Sequence, residues 1–247
     1  MRKRLLRLVV FLAYGSGSLL LILVLLSVAV RIQDWIFRDR AERLFNDIES
    51  IKPLHTTFGE MESIVAQWHG SGSYEVPCSK QNCQFSFGMV EPQVKWRDNS
   101  RLFLMLLDFY RFLGGHPTIV WASVNVEDGV VSAKGYTLSV EAPPYVNSEG
   151  RLVTYSVQGT VSTVSQTNAI ILGMPDARYQ IGSAACLGCW EIHVAFSPFA
   201  DAADVRRLSH INFSCLTRQH PCRTRSDIMP IATSERLKEG HFYDAPF

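Results

Sequence analysis

Residues 118–142 read TIVWASVNVEDGVVSAKGYTLSVEA, and this stretch decides the fold. Val120, Ala122, Val124 and Val126 alternate with Trp121, Ser123, Asn125 and Glu127. Side chains of an extended chain point to opposite faces in turn, so a period of two describes a strand with one packed face. Asp128-Gly129 separates this run from a second β-rich run. Glycine reaches positive φ without steric cost, which makes the pair a turn signal between two strands. Beyond a loop expected at Pro143-Pro144, RLVTYSVQGTVSTVS from Arg151 alternates again, and WEIHVAF from Trp190 supplies a fourth strand.

Helical periods flank this β-rich region. Thr57-Phe58-Gly59-Glu60 has capping-box spacing ahead of Met61, Ile64, Val65 and Trp68, so residues 57–68 read as a short helix. RLFLMLLDFYRFLGG, from Arg101, puts Leu102, Leu106, Phe109 and Leu113 on one face, with Asp108 and Arg111 on the opposite side. Its strong apolar content makes it a buried core helix; the alternative is an amphipathic element resting at a membrane interface or against a partner's helix. Too short to cross a bilayer, it ends at Gly114-Gly115. A further helical segment is expected at ATSERLKE, before an aromatic tail, HFYDAPF. Helices accompanying strands joined by short turns give an α+β class, with a mainly antiparallel sheet and flanking helices.

The amino terminus adds an anchor. Arg2, Lys3, Arg4 and Arg7 precede an uncharged apolar run over 8–30, which as a helix extends about 35 Å against a hydrocarbon layer of about 30 Å. A cleavable leader is the competing reading, since Ser27-Val28-Ala29 has small residues at the right spacing. The run exceeds the usual apolar core of a leader, and Trp35 and Phe37 suit an interfacial aromatic belt, so we read a single transmembrane helix. The expected organisation is a basic cytoplasmic end over 1–7, the span over 8–30, an outward helical stalk over 31–52 and an extracytoplasmic domain over 53–247. In the stalk, Phe37, Ala41, Leu44, Ile48 and Ile51 form one apolar stripe, expected to pack on its own domain in preference to pairing with a second chain. Ala13 and Gly17, one turn apart, are candidates for close packing of the span on another membrane helix.

Two cues orient the chain with its amino terminus in the cytoplasm. The first basic group contains no acids, whereas Arg31, Arg38, Arg40 and Arg43 are interspersed with Asp34, Asp39 and Glu42. All six cysteines, Cys78, Cys83, Cys186, Cys189, Cys215 and Cys222, follow the span, where an extracytoplasmic or periplasmic setting permits disulfides. Cys78 with Cys83 reads as a local bridge, and Cys215 with Cys222 has spacing for another.

The stretch ACLGCWEIHVAF from Ala185 carries the strongest chemical signal. Cys186 and Cys189 could form a redox pair, but such a pair needs a helix amino terminus to stabilise its thiolate, and an alternating strand pattern follows instead. Cys186, Cys189 and His193 are candidate zinc ligands, with His210, Cys215 or Cys222 as a fourth, although C-x2-C-x3-H has no recognised second half here. A disulfide is the preferred reading, and zinc the only cofactor suggested. His193 alternates with apolar positions and is expected to face solvent or a polar partner.

No nucleophile elbow, phosphate-binding loop, dinucleotide fingerprint or metalloprotease motif occurs in the sequence. Lys and Arg exceed Asp and Glu by only 24 to 23, and no basic block follows the amino terminus, which argues against nucleic acid as a partner. The expected function is a membrane-anchored, non-catalytic interaction or assembly protein, an accessory subunit of a membrane complex. The alternatives are a membrane-tethered thiol oxidoreductase and an extracytoplasmic ligand- or metal-binding module.

Overall fold

The computed structural model describes residues 2–68, 72–74, 78–90, 101–146, 152–162, 179–186, 189–197, 200–217, 222 and 224–238. It opens on one helix, α1 (Arg2–Ser50), of 49 residues. Its segment from Tyr14 is apolar enough and long enough to cross a membrane. No break separates this apolar part from the stalk expected over 31–52, whose residues 31–50 belong to the same helix. Phe37, Ala41, Leu44, Ile48 and Ile51 are buried in the main core, so the stripe packs on its own domain.

The core's other wall is a sheet. The described strands are β1 (Gly72–Tyr74), β2 (Cys83–Val90), β3 (Thr118–Glu127), β4 (Val130–Val146), β5 (Leu152–Ser162), β6 (Tyr179–Cys186) and β7 (Cys189–Phe196). They form one sheet in the order β1-β2-β3-β4-β5-β7-β6. Every pairing is antiparallel except β5 with β7, which run parallel. A hairpin partner is adjacent in sequence, but β7 enters between β5 and β6, an arrangement that local alternation does not encode.

The β3–β4 hairpin forms where its turn residues require. Glu127 pairs with Val130 across Asp128 and Gly129, whose φ values are 52° and 81°, the positive values that a two-residue turn between twisted strands needs. The inward residues Phe85, Phe87, Val120, Val124, Leu138, Val157, Ile192 and Val194 are buried. The Pro143-Pro144 loop is a correction: those residues lie within β4, where the register with β5 jumps between Glu141 and Val146. Proline has no N–H for the ladder, so a strand accommodates it at such an irregularity.

Three further helices and a 3-10 turn close the domain: α4 (Ala202–Leu208), the turn over Phe213–Leu216, α5 (Arg225–Ile228) and α6 (Pro230–Lys238). Between α1 and the sheet lies α2 (Phe58–Gln67), whose capping box is formed as expected by Thr57 and Glu60. The bonds from Thr57 hold the Glu60 carboxyl below its ordinary range. HFYDAPF lies outside the described residues.

The largest correction concerns α3 (Arg101–Phe112). It is not a core helix. Leu107, Tyr110 and Leu113 are buried in a separate small cluster with Val30, against which Leu23 packs. Leu102, Met105, Leu106, Phe109 and Phe112 face outward and are 40 to 75 % exposed. The helix therefore packs its buried apolar residues on the end of the apolar part of α1 and reaches the sheet through the Arg111–Glu141 ion pair.

Candidate functional site

The carboxyl-terminal part of α1 and the chain around 206–214 enclose a cleft of about 500 Å³. Helical spacing brings Arg38, Glu42, Phe45 and Glu49 to this side of α1. Arg206, His210 and Phe213 line the other wall. Phe45 meets Phe213 edge-on at 5.8 Å and Tyr136 at 4.9 Å between ring centroids, giving the cleft an aromatic floor. Its mouth carries both signs of charge: Arg38 Nε donates to Glu42 Oε1 at 2.7 Å, and Arg38 also reaches the Thr217 hydroxyl at 3.4 Å. Arg31 Nη1 donates to the Thr217 carbonyl at 3.2 Å, tying the exit of the apolar helix to the same wall.

One end of the cleft joins a buried polar network. Ser209 Oγ donates to Glu49 Oε1 at 3.1 Å and to the Val205 carbonyl at 2.6 Å. Tyr136 Oη donates to the Ser209 carbonyl at 3.4 Å, and burial pushes its phenol well above the ordinary range. Lys134 Nζ donates to the carbonyls of Ile48 and Glu49 at 2.9 and 3.0 Å. Burial lowers its ammonium to about 8, with the Glu49 charge opposing the shift.

A lysine lowered this far resembles a reactive amine, but its bonds give it another role. The last carbonyls of a helix have no partner within it, and a cation there complements the negative end of the helix dipole. Lys134 thus caps the carboxyl end of α1. The single Ser209 hydroxyl proton is shared between a carboxylate and a carbonyl acceptor, and the hydroxyl is not set against a histidine base. The cleft is equipped for polar and aromatic docking, and among the described residues it assembles no nucleophile with a base.

The sequence did carry signals for these residues. Lys134 shares its inward parity with Tyr136, Leu138 and Val140, and a lone cation among core positions calls for a buried acceptor. Asp34 falls on the stripe that contains Phe37 and Ala41, is buried, and accepts a hydrogen bond from Tyr110 Oη at 3.2 Å. It joins α1 to α3.

The cysteine candidates are dispersed. Cys78 and Cys83 form a disulfide with a Cα separation of 4.5 Å. Cys222 is buried and also disulfide-bonded; Cys215 lies in the 3-10 turn. Cys186 and Cys189 are register partners at the joined ends of β6 and β7. That backbone provides two strand ends and no helix amino terminus to stabilise a thiolate.

His193 stands in β7 opposite Gln158 and Gly182. It lies on the sheet face away from Ile192 and Val194, both buried. Four strand steps separate its Cα from that of Cys189, about 13 Å along β7. Among the described residues no three His, Cys, Asp or Glu side chains converge as metal ligands. Ala13 and Gly17 lie on α1; a Cβ built at Gly17 meets nothing within 4 Å, so none of the described residues covers that point. No family model, curated protein or solved structure matches this chain.

Proposed function

We propose that the protein is a membrane-anchored, non-catalytic interaction or assembly protein, an accessory subunit of a membrane complex. Residues 8–30 cross the bilayer, the amino terminus is cytoplasmic and the sheet domain is extracytoplasmic. The observation that carries this reading is the continuity of α1, whose apolar segment passes without interruption into the centre of the domain core. A domain that only needs holding near the membrane can hang on a flexible linker. A subunit that must meet a neighbour at a set height and angle needs a rigid connection, and a helix packed along its last four turns supplies one.

Other features support the same reading. The cleft at the base of the domain offers charge of both signs over an aromatic floor, a composition suited to a protein partner. The Cys78–Cys83 bridge accords with an oxidising compartment. Against a thiol oxidoreductase stands the strand-to-strand setting of Cys186 and Cys189.

Purification from the native membrane in mild detergent tests the function. A partner recovered in fixed stoichiometry, and lost on reversing the charge of Arg38 and Arg206 together, is the expected result. Recovery of the chain alone from intact membranes would sink the assembly reading. Thiol labelling or protease accessibility of the sheet domain from the cytosolic side would overturn its orientation.

A further inference from the structure

We propose that α3 lies in the interfacial layer of the same bilayer, with Leu102, Met105, Leu106, Phe109 and Phe112 against the acyl chains. This inference rests on the reading that residues 8–30 cross the membrane. Three observations carry it.

The first is the pattern of exposure. At 3.6 residues per turn the five outward side chains fall within an arc of about 120°. All are apolar and 40 to 75 % exposed, a face too greasy to be left to water. Arg111 is directed away from this face, pairing with Glu141 on the sheet and with Asp108 at 3.0 Å. Asp108 itself, at the edge of the apolar arc, is exposed.

The second is attachment. Leu107, Tyr110 and Leu113 pack with Val30 and Leu23 of α1, and Ser27 Oγ donates to the Leu113 carbonyl at 3.3 Å. The contacts thus run from Leu23 to Asp34, across the end of the apolar run, so what surrounds the end of that run also reaches α3.

The third is depth. With residues 8–30 centred on the bilayer, the midplane falls at Leu19 and a rise of 1.5 Å per residue puts the contact residues from about 6 Å (Leu23) through about 12 Å (Ser27) and about 17 Å (Val30) to about 22 Å (Asp34) from it, centred near about 14 Å. The hydrocarbon half-thickness is about 15 Å. The seat of α3 is therefore level with the boundary between acyl chains and headgroups, where an amphipathic helix buries its apolar face. Ile32 and Trp35 of α1 are exposed just beyond this level, and tryptophan is enriched at such boundaries. A protein groove would need to enter this same layer to cover the face; lipid is already there. The span and α3 together hold the domain at two points and fix both its tilt and its rotation about the membrane normal.

Site-specific photocrosslinking of the full-length chain in phosphatidylcholine vesicles tests the proposal. A benzophenone amino acid is placed singly at Ile22, Phe109, Phe112 or Glu127, all exposed positions, and lipid adducts are quantified by mass spectrometry. Adduct yields at 109 and 112 within about threefold of position 22, and at least about tenfold above position 127, are expected for a helix in the interface. Lipid adducts at 22 with only the background of 127 at 109 and 112 would overturn the placement of α3 and leave the span intact. Adducts to a second polypeptide at 109 and 112 would equally overturn it, since the face would then belong to a protein. Absence of lipid adducts at 22 would remove the span, and this inference with it.

Discussion

Leu44 in α1 and Leu106 in α3 are both leucines on an apolar helical stripe, and they meet opposite surroundings. Leu44 is completely buried between helix and sheet, whereas Leu106 is 53 % exposed. The difference does not arise from their own neighbours in sequence, because both stripes repeat every three or four residues. It arises from what stands opposite. The stripe of α1 faces the inner side of the sheet; α3 is held by its flank to the end of the apolar run, and its stripe looks away from every other described element. Periodicity names the face that avoids water but does not name the medium that receives it.

Charge insertion breaks this comparison most forcefully. Leu44→Asp buries an unpaired carboxylate, and the domain is expected to lose more than about 4 kcal/mol and unfold. Leu106→Asp should change stability by no more than about 1 kcal/mol. Thermal unfolding in detergent followed by circular dichroism checks both, and equal losses would erase the distinction between the two stripes.

A smaller effect comes from Lys134, which fastens the end of α1 to the sheet. Its folded value, about 8, lies below its ordinary 10.5, so between these pH values the unfolded chain binds a proton that the folded chain has lost. Stability therefore rises with pH across that window, by no more than about 3 kcal/mol, and below it the burial cost is fully present. Denaturant midpoints at the two ends should show this rise in the native chain and lose it in Lys134→Met.

On the α3 side, Gly115 lies so close to the Tyr110 ring that an added Cβ would run into its carbons. Gly115→Ala is expected to cost about 1–3 kcal/mol by overpacking and to displace Tyr110 from Asp34. Hydrogen exchange should quicken in α3 while β3 and β4 keep their protection. The smallest change is expected from Thr57→Ala, which removes the amino-terminal cap of α2 and costs about 1 kcal/mol. A loss confined to one helical turn would appear as faster exchange at Gly59 and Glu60 with little movement of the melting temperature.

Legibility in the sequence followed the range of the interactions. Asp128-Gly129, the Thr57–Glu60 box and the Cys78–Cys83 bridge are each complete within six residues, and each could be read directly. The central hairpin followed from alternation, because its strands are joined by two residues. The parallel pairing of β5 with β7 was not legible, since Val157 opposite Ile192 is a choice among many apolar partners. The Pro143-Pro144 pair reads as a loop but lies in a strand whose register jumps across it. The cleft depends on α1 meeting residues more than 150 positions away, as in Glu49 with Ser209, and only its individual charges were visible beforehand.

By itself the sequence determined the apolar run at the amino terminus, the α+β class and the apolar stripe of α1, because these depend on composition and on periods of two or 3.6. Only the tertiary structure decided that the stripe of α1 would enter the core while that of α3 stayed outside, and that Lys134 would close the end of α1. Burial is a relation between surfaces distant along the chain, so a segment carries the preference for it but not the partner that fulfils it.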